Sequence, residues 1–143
     1  MPNRAGYNPL TQKPYLALII EDDIIAKNVL LMQLVSIGFK VLEVSTLSGA
    51  YDLLKSITPD VIFLDRLLFN QSGMDLLKHR LEDAHLQKIR TIVTTGEKGL
   101  SEITEALKLG ADDYLIKPVD MKLLKDALAK LGFQVGENLI GKG

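Results

Sequence analysis

Short apolar runs alternate with helix-period segments along most of this chain, and that alternation limits its fold more than any other feature. Tyr15-Leu16-Ala17-Leu18-Ile19-Ile20 and Val61-Ile62-Phe63-Leu64 are continuously apolar, as strands buried on both faces are. Val41-Leu42-Glu43-Val44, Arg90-Thr91-Ile92-Val93-Thr94 and Asp113-Tyr114-Leu115-Ile116 read as three further strands. Between them Ala26, Leu30, Leu34 and Ile37, then Ala50, Leu53, Leu54 and Ile57, then Ile103, Ala106, Leu107 and Gly110 recur at helical spacing. Leu123, Leu124, Ala127, Leu128 and Leu131 form a last stripe, and residues 73–84 a helix with Leu76, Leu77 and Leu81 inward. Gly38, Pro59 and Gly110 stop three of these helices. Strand-then-helix, five times over, predicts an α/β fold around a parallel sheet with right-handed crossovers.

The 143 residues fit one domain. The absence of cysteine excludes disulfides, Cys-zinc sites, Fe–S clusters and thiol catalysis. A net charge of −1 argues against a surface built for nucleic acid, so no direct nucleic-acid binding is expected of this chain. The longest apolar run, six residues, is far short of the ~18 of a membrane span. The polar start, with Pro2, Pro9 and Pro14, is no signal peptide. The expectation is a cytoplasmic domain with a flexible extension over 1–14, a folded body over 15–132 and a flexible tail over 133–143.

In open parallel sheets the chemistry gathers beyond the carboxyl ends of the strands. Those positions hold Glu21-Asp22-Asp23, Asp65, Thr94-Thr95-Gly96 and Lys117-Pro118. Taken singly each has a plainer reading: acids opening a helix, a turn acid, a strand threonine, a loop lysine. Jointly they fall at one end of one sheet. Carboxylates from Glu21, Asp22 and Asp65 converging to ~4 Å would repel by about 4 kcal/mol per pair at an effective dielectric near 20. Such a cluster would take up a proton or a cation. Oxygen ligands without His or Cys suit a hard cation, and an open site completed by water and a phosphoryl oxygen suits Mg²⁺ better than Ca²⁺. Lys117 could meet one phosphate oxygen and Thr95 another, leaving Asp65 as a carboxylate able to attack phosphorus.

These residues resemble the receiver domain of two-component response regulators, the chemotaxis-regulator-like switches. The matching stretches are Leu18 to Asp23, Val61 to Asp65, Ser72 to Leu77, Ile92 to Gly96 and Gly110 to Pro118. Asp65 precedes Thr95 by thirty residues and Lys117 by fifty-two. The resemblance implies a flavodoxin-like, doubly wound five-stranded sheet of order 2-1-3-4-5 with five helices. It implies that Asp65 is the phosphoacceptor, that Glu21, Asp22, Asp65 and the Leu67 backbone carbonyl bind Mg²⁺, that Lys117 binds phosphate, and that Thr95 and Tyr114 are the switch pair. Asp23, one place later, reads as a helix cap, and the Lys117-Pro118 bond is expected to be cis. The sequence departs at Phe69, where the family usually has proline, which suggests a less constrained loop over Phe69-Asn70-Gln71. Leu67 and Glu97 stand at positions the family ties to acyl-phosphate lifetime, and Arg66 is expected to face solvent near a docking surface.

The implied activity is phosphoryl transfer onto Asp65 from a phosphohistidine of a sensor histidine kinase or histidine phosphotransfer protein. The chain would then be a signalling phosphoacceptor and not an enzyme, dephosphorylating only itself, as a monomer or a phosphorylation-dependent homodimer. A receiver-like scaffold that is never phosphorylated is the alternative. A phosphatase of the haloacid dehalogenase type needs an acid where Leu67 stands, and a nucleotide or flavin carrier needs a glycine-rich turn where Glu21-Asp22-Asp23 stands. His79 and His85 fall away from the strand ends and read as surface residues. Lys122, Lys125 and Lys130, interleaved with Asp120 and Asp126, read as a solvated helix face or a dimer face.

Overall fold

The apolar run at residues 16–20 becomes β3 (Leu16–Ile20), flanked by β4 (Lys40–Val44) and β5 (Val61–Asp65), with β8 (Arg90–Thr95) and β9 (Asp113–Ile116) beyond. The structure is a computed structural model and describes residues 4–96 and 99–136. The strands are parallel in the order β4-β3-β5-β8-β9, the expected order for a doubly wound sheet. Leu18 sits beside Leu42 on one flank and Ile62 on the other. Side chains alternate faces along each strand, so the sheet divides its apolar residues between two cores. Leu18, Ile20, Ile62, Leu64 and Val93 pack under α2 (Leu47–Leu54), α3 (Met74–Arg80) and α5 (Leu100–Lys108). Ala17, Ile19, Val61, Phe63, Ile92 and Leu115 pack under α1 (Ile24–Ser36) and α6 (Met121–Lys130). Full burial of side chains such as Phe63 or Leu34 contributes about 1.5–3 kcal/mol each. Asp23 caps α1 by accepting from the Ala26 amide, and Thr46 and Asp120 cap α2 and α6 in the same way. Among the described residues, no helix is long and apolar enough to cross a membrane.

Three local readings need correction. The helix expected over 73–84 is two pieces, α3 and a short α4 (Ala84–Gln87), which makes six helices among the described residues. Asp83 causes the break: its carboxylate accepts from the His85 and Leu86 amides and starts a new helix. Leu81, read as inward, is 53% exposed. The loop after Asp65 is an antiparallel hairpin of β6 (Leu67–Leu68) and β7 (Gln71–Ser72), with Phe69 exposed at its turn.

The lead-in is also built onto the fold, in place of a loose extension. β1 (Tyr7–Asn8) pairs with β2 (Lys13–Pro14), the Gly6 amide donates to the Gln134 carbonyl (2.7 Å) and the Tyr15 amide to the Gly6 carbonyl (2.7 Å). Gly6 (φ +76°) lies against Gly38 (φ +94°), so closely that a Cβ on Gly6 would stand 2.4 Å from the Gly38 carbonyl carbon. Only glycine fits that crossing. Phe133, assigned to the tail, stacks edge-on against Tyr15 with ring centres 4.8 Å apart, and Phe39 completes the cluster. The packed chain thus runs at least from Ala5 to Gln134, because three aromatics far apart in sequence supply burial that a count of prolines misses.

Candidate functional site

β3 and β5 are neighbours whose following helices cross the sheet in opposite directions, which opens a crevice at their carboxyl ends. Glu21 and Asp22 follow β3 directly, and Asp65 is the last residue of β5. A carboxylate oxygen from each of the three lies within 4.8 Å of the others. Glu21 and Asp65 are each only 3% exposed. Two unit charges 4.8 Å apart repel by about 3–4 kcal/mol at an effective dielectric near 20. Lys117, which follows β9, opposes part of this: Nζ donates to Glu21 Oε1 (3.1 Å) and Asp65 Oδ1 (3.2 Å). Backbone amides add to it, Asp23 N–H donating to Glu21 Oε2 (3.1 Å) and Leu67 N–H to Asp65 Oδ1 (3.3 Å).

Burial, and then the hydrogen bond and charge of Glu21, push the Asp65 carboxyl up to about 7, with Lys117 only partly opposing them. Burial alone would pull the Lys117 ammonium down, but Glu21 and Asp65 together outweigh it and hold it above its ordinary value. Three carboxylates against one ammonium leave an excess of negative charge in a buried crevice. That all-oxygen set fits a hard divalent cation, and Glu21, Asp22 and Asp65 are the residues that could hold it. Leu67 contributes its amide to Asp65 here.

Thr95 ends β8 and is buried. Asp65 is in register with Thr94, and Tyr114 with Val93, so alternation puts Thr95 and Tyr114 on the sheet face that α5 covers. The Lys117 amide donates to the Thr95 carbonyl (2.8 Å), and the Lys117-Pro118 bond is cis. The sequence-predicted residues Glu21, Asp22, Asp65 and Lys117 therefore meet; Thr95 adjoins them through the Lys117 amide, and Tyr114 lies further back along β9, in register with Val93. Glu97 lies outside the described residues.

Arg66 does not face solvent. Its side chain is 19% exposed and pairs with Glu105 of α5 (3.6 Å), a contact no local sequence signal announces. His79 and His85 lie away from the crevice: His79 packs against Tyr51 with the rings tilted by 44°, and His85 Nε2 meets the Thr58 hydroxyl. On α6, Lys122 pairs with Asp126 and Lys130 reaches Asp113, so part of the basic face is internally matched.

A family model described as the response regulator receiver domain matches residues 17–129. The chain belongs to the response regulator receiver family. As a receiver it is 33% identical over 115 residues to the transcriptional regulatory protein CitB of Klebsiella pneumoniae, covering 79% of this chain and 48% of that protein. It is 28% identical over 113 residues to the chemotaxis protein CheY1 of Helicobacter pylori, covering 78% of this chain and 91% of that protein. The receiver thus spans about half the length of the transcriptional regulators it matches. Its backbone resembles the crystal structure of a putative response regulator from Chloroflexus aurantiacus, with a TM-score of 0.75 and 26% identity over 82% of this chain and 99% of that one. It also resembles a response regulator from Burkholderia pseudomallei solved with a phosphorylated aspartic acid, calcium ion and citrate, with a TM-score of 0.71 and 27% identity over 80% of this chain and 66% of that one.

Proposed function

We propose that this receiver accepts a phosphoryl group on Asp65 from a phosphohistidine of a histidine kinase or phosphotransfer protein. The observation that carries the reading is the buried cluster of Glu21, Asp22 and Asp65 with Lys117 bonded across two of its members. An Asp65 carboxylate oxygen forms the new O–P bond, the P–N bond of the donor breaks, and the imidazole nitrogen keeps the electron pair. Mg²⁺, held by Glu21, Asp22, Asp65 and the Leu67 carbonyl, would offset charge on the transferring group. Lys117 stands where its ammonium can move from the carboxylates to a phosphoryl oxygen. Thr95 then hydrogen-bonds the new group and Tyr114 reports it at the α5 face. The phosphorylated aspartic acid of the Burkholderia pseudomallei relative supports the same chemistry here. In this reading the chain turns over only by hydrolysis of its own acyl phosphate and passes its signal by protein contact, as a monomer or a phosphorylation-dependent homodimer.

Incubation with acetyl phosphate and Mg²⁺, followed by intact mass, tests it. The expected result is gain of one phosphoryl group, lost in Asp65→Asn and in EDTA. Equal labelling of the Asp65→Asn chain would overturn the assignment.

A further inference from the structure

We propose that the Arg66–Glu105 ion pair is a latch that holds α5 in its resting place, and that phosphorylation of Asp65 competes for its arginine. The inference rests on the phosphoacceptor reading above.

The backbone of Arg66 is fixed on both sides. Its amide donates to the Thr94 carbonyl (2.8 Å) and its carbonyl accepts from the Gly73 amide (2.8 Å). It therefore cannot drift from Asp65, its chain neighbour. Alternation from Leu64 places its side chain on the α5 face, with Thr95 and Tyr114. There Nη2 stands 3.6 Å from Glu105 Oε1, attractive as an ion pair but too long for a good hydrogen bond. Its Nε is buried and has no hydrogen-bond partner among the described residues. Guanidinium groups in settled sites are held by short, often bidentate bonds. This one is held loosely by one carboxylate, with a buried donor unmet.

Glu105, at the other end, lines a groove of ≈ 730 Å³ between α3 and α5 together with Lys78 and Lys108. Its charge has a second place to go. The same alternation turns the Asp65 carboxylate to the opposite face, so a phosphoryl group there, with about −2 charge and strong acceptors, would draw the Arg66 guanidinium back over the end of β5 and away from Glu105. Arg66 then has a better partner, and Glu105 can turn to the lysines. The two arrangements give α5 two positions that the state of Asp65 biases, as a two-state switch requires. Arg66 and Glu105 act here as positioning residues.

The test is titration of the full chain, in Mg²⁺, with beryllofluoride as the phosphoryl mimic, followed at the Thr95, Tyr114 and α5 amides. Removing a half-exposed ion pair that opposes the change should lower the half-saturating concentration by about two- to five-fold in Glu105→Gln. Glu105→Asp should fall closer to wild type. In an Arg66→Gln background, Glu105→Gln should have no further effect, because the partner is already gone. A thermal midpoint for each chain separates this coupling from general loosening. Wild-type response with no change in Glu105→Gln, or the same change with and without Arg66, would overturn the latch alone. No response from the wild type would overturn the phosphoacceptor reading and the latch with it.

Discussion

Replacing Asp65 by asparagine should stabilise this domain, by an amount that depends on pH. The amide keeps the shape of the carboxylate and removes one of three crowded charges. In the fold Asp65 holds its proton up to about 7, against an ordinary value of 3.8. Between those values the unfolded chain has released the proton and the folded chain has not, so native stability falls as pH rises. The contribution is whole below 3.8 and is lost as pH passes through about 7. The interval is about three units, and at about 1.36 kcal/mol per unit the full loss approaches about 4 kcal/mol. Some of this returns through relaxation of Glu21 and Lys117, so about 2–4 kcal/mol should separate the variant from wild type at pH 8. With an m-value of about 2 kcal/mol/M, the urea midpoint should rise by about 1–2 M at pH 8 in EDTA. At pH 5 the gap should shrink to less than half, and near pH 4 it should close. A gap of constant size across that range, or a variant less stable than wild type at pH 8, would refute the electrostatic account of the cluster.

Mg²⁺ should act on the same repulsion. A hundredfold excess over its Kd should raise wild-type stability by about 2.7 kcal/mol, seen as a higher thermal midpoint, and Asp22→Asn should lose most of that gain. Gly6→Val should destabilise by about 1–3 kcal/mol in urea titration, because the left-handed backbone and the 2.4 Å approach to Gly38 leave no room for a Cβ.

The sheet was legible in the sequence because both-faces burial leaves unbroken apolar runs such as Leu16 to Ile20 and Val61 to Leu64. The acid cluster was legible for a related reason: parallel strands all end on one edge, so knowing where Ile20 and Leu64 stop places Glu21, Asp22 and Asp65 together. The break between α3 and α4 was not. The stripe of Leu76, Leu77 and Leu81 runs up to it without a stop signal, and the Asp83 cap that starts α4 acts only locally. Two-residue strands such as β6 and β7 are too short to carry a period. The Arg66–Glu105 contact and the Tyr15, Phe39 and Phe133 cluster join residues distant in sequence, and no local pattern encodes a distant partner. The lead-in over 4–14 and residues 133–136 each look loose in the sequence because each is polar on its own; the Gly6–Gln134 hydrogen bond and the Tyr15–Phe133 contact need both, and residues 137–143 lie outside the described residues.

The hydrogen bond from Gly6 to Gln134 joins points 128 residues apart, nearly the full described length. Closing so long a loop gains nothing until the sheet between its ends has formed, so this contact should be among the last made in folding. Interactions absent from the transition state act on the rate of unfolding and hardly on the rate of folding. The strap over residues 4–15 should therefore work as a kinetic brake: cut back to Tyr15, the receiver should fold as fast as before and come apart sooner.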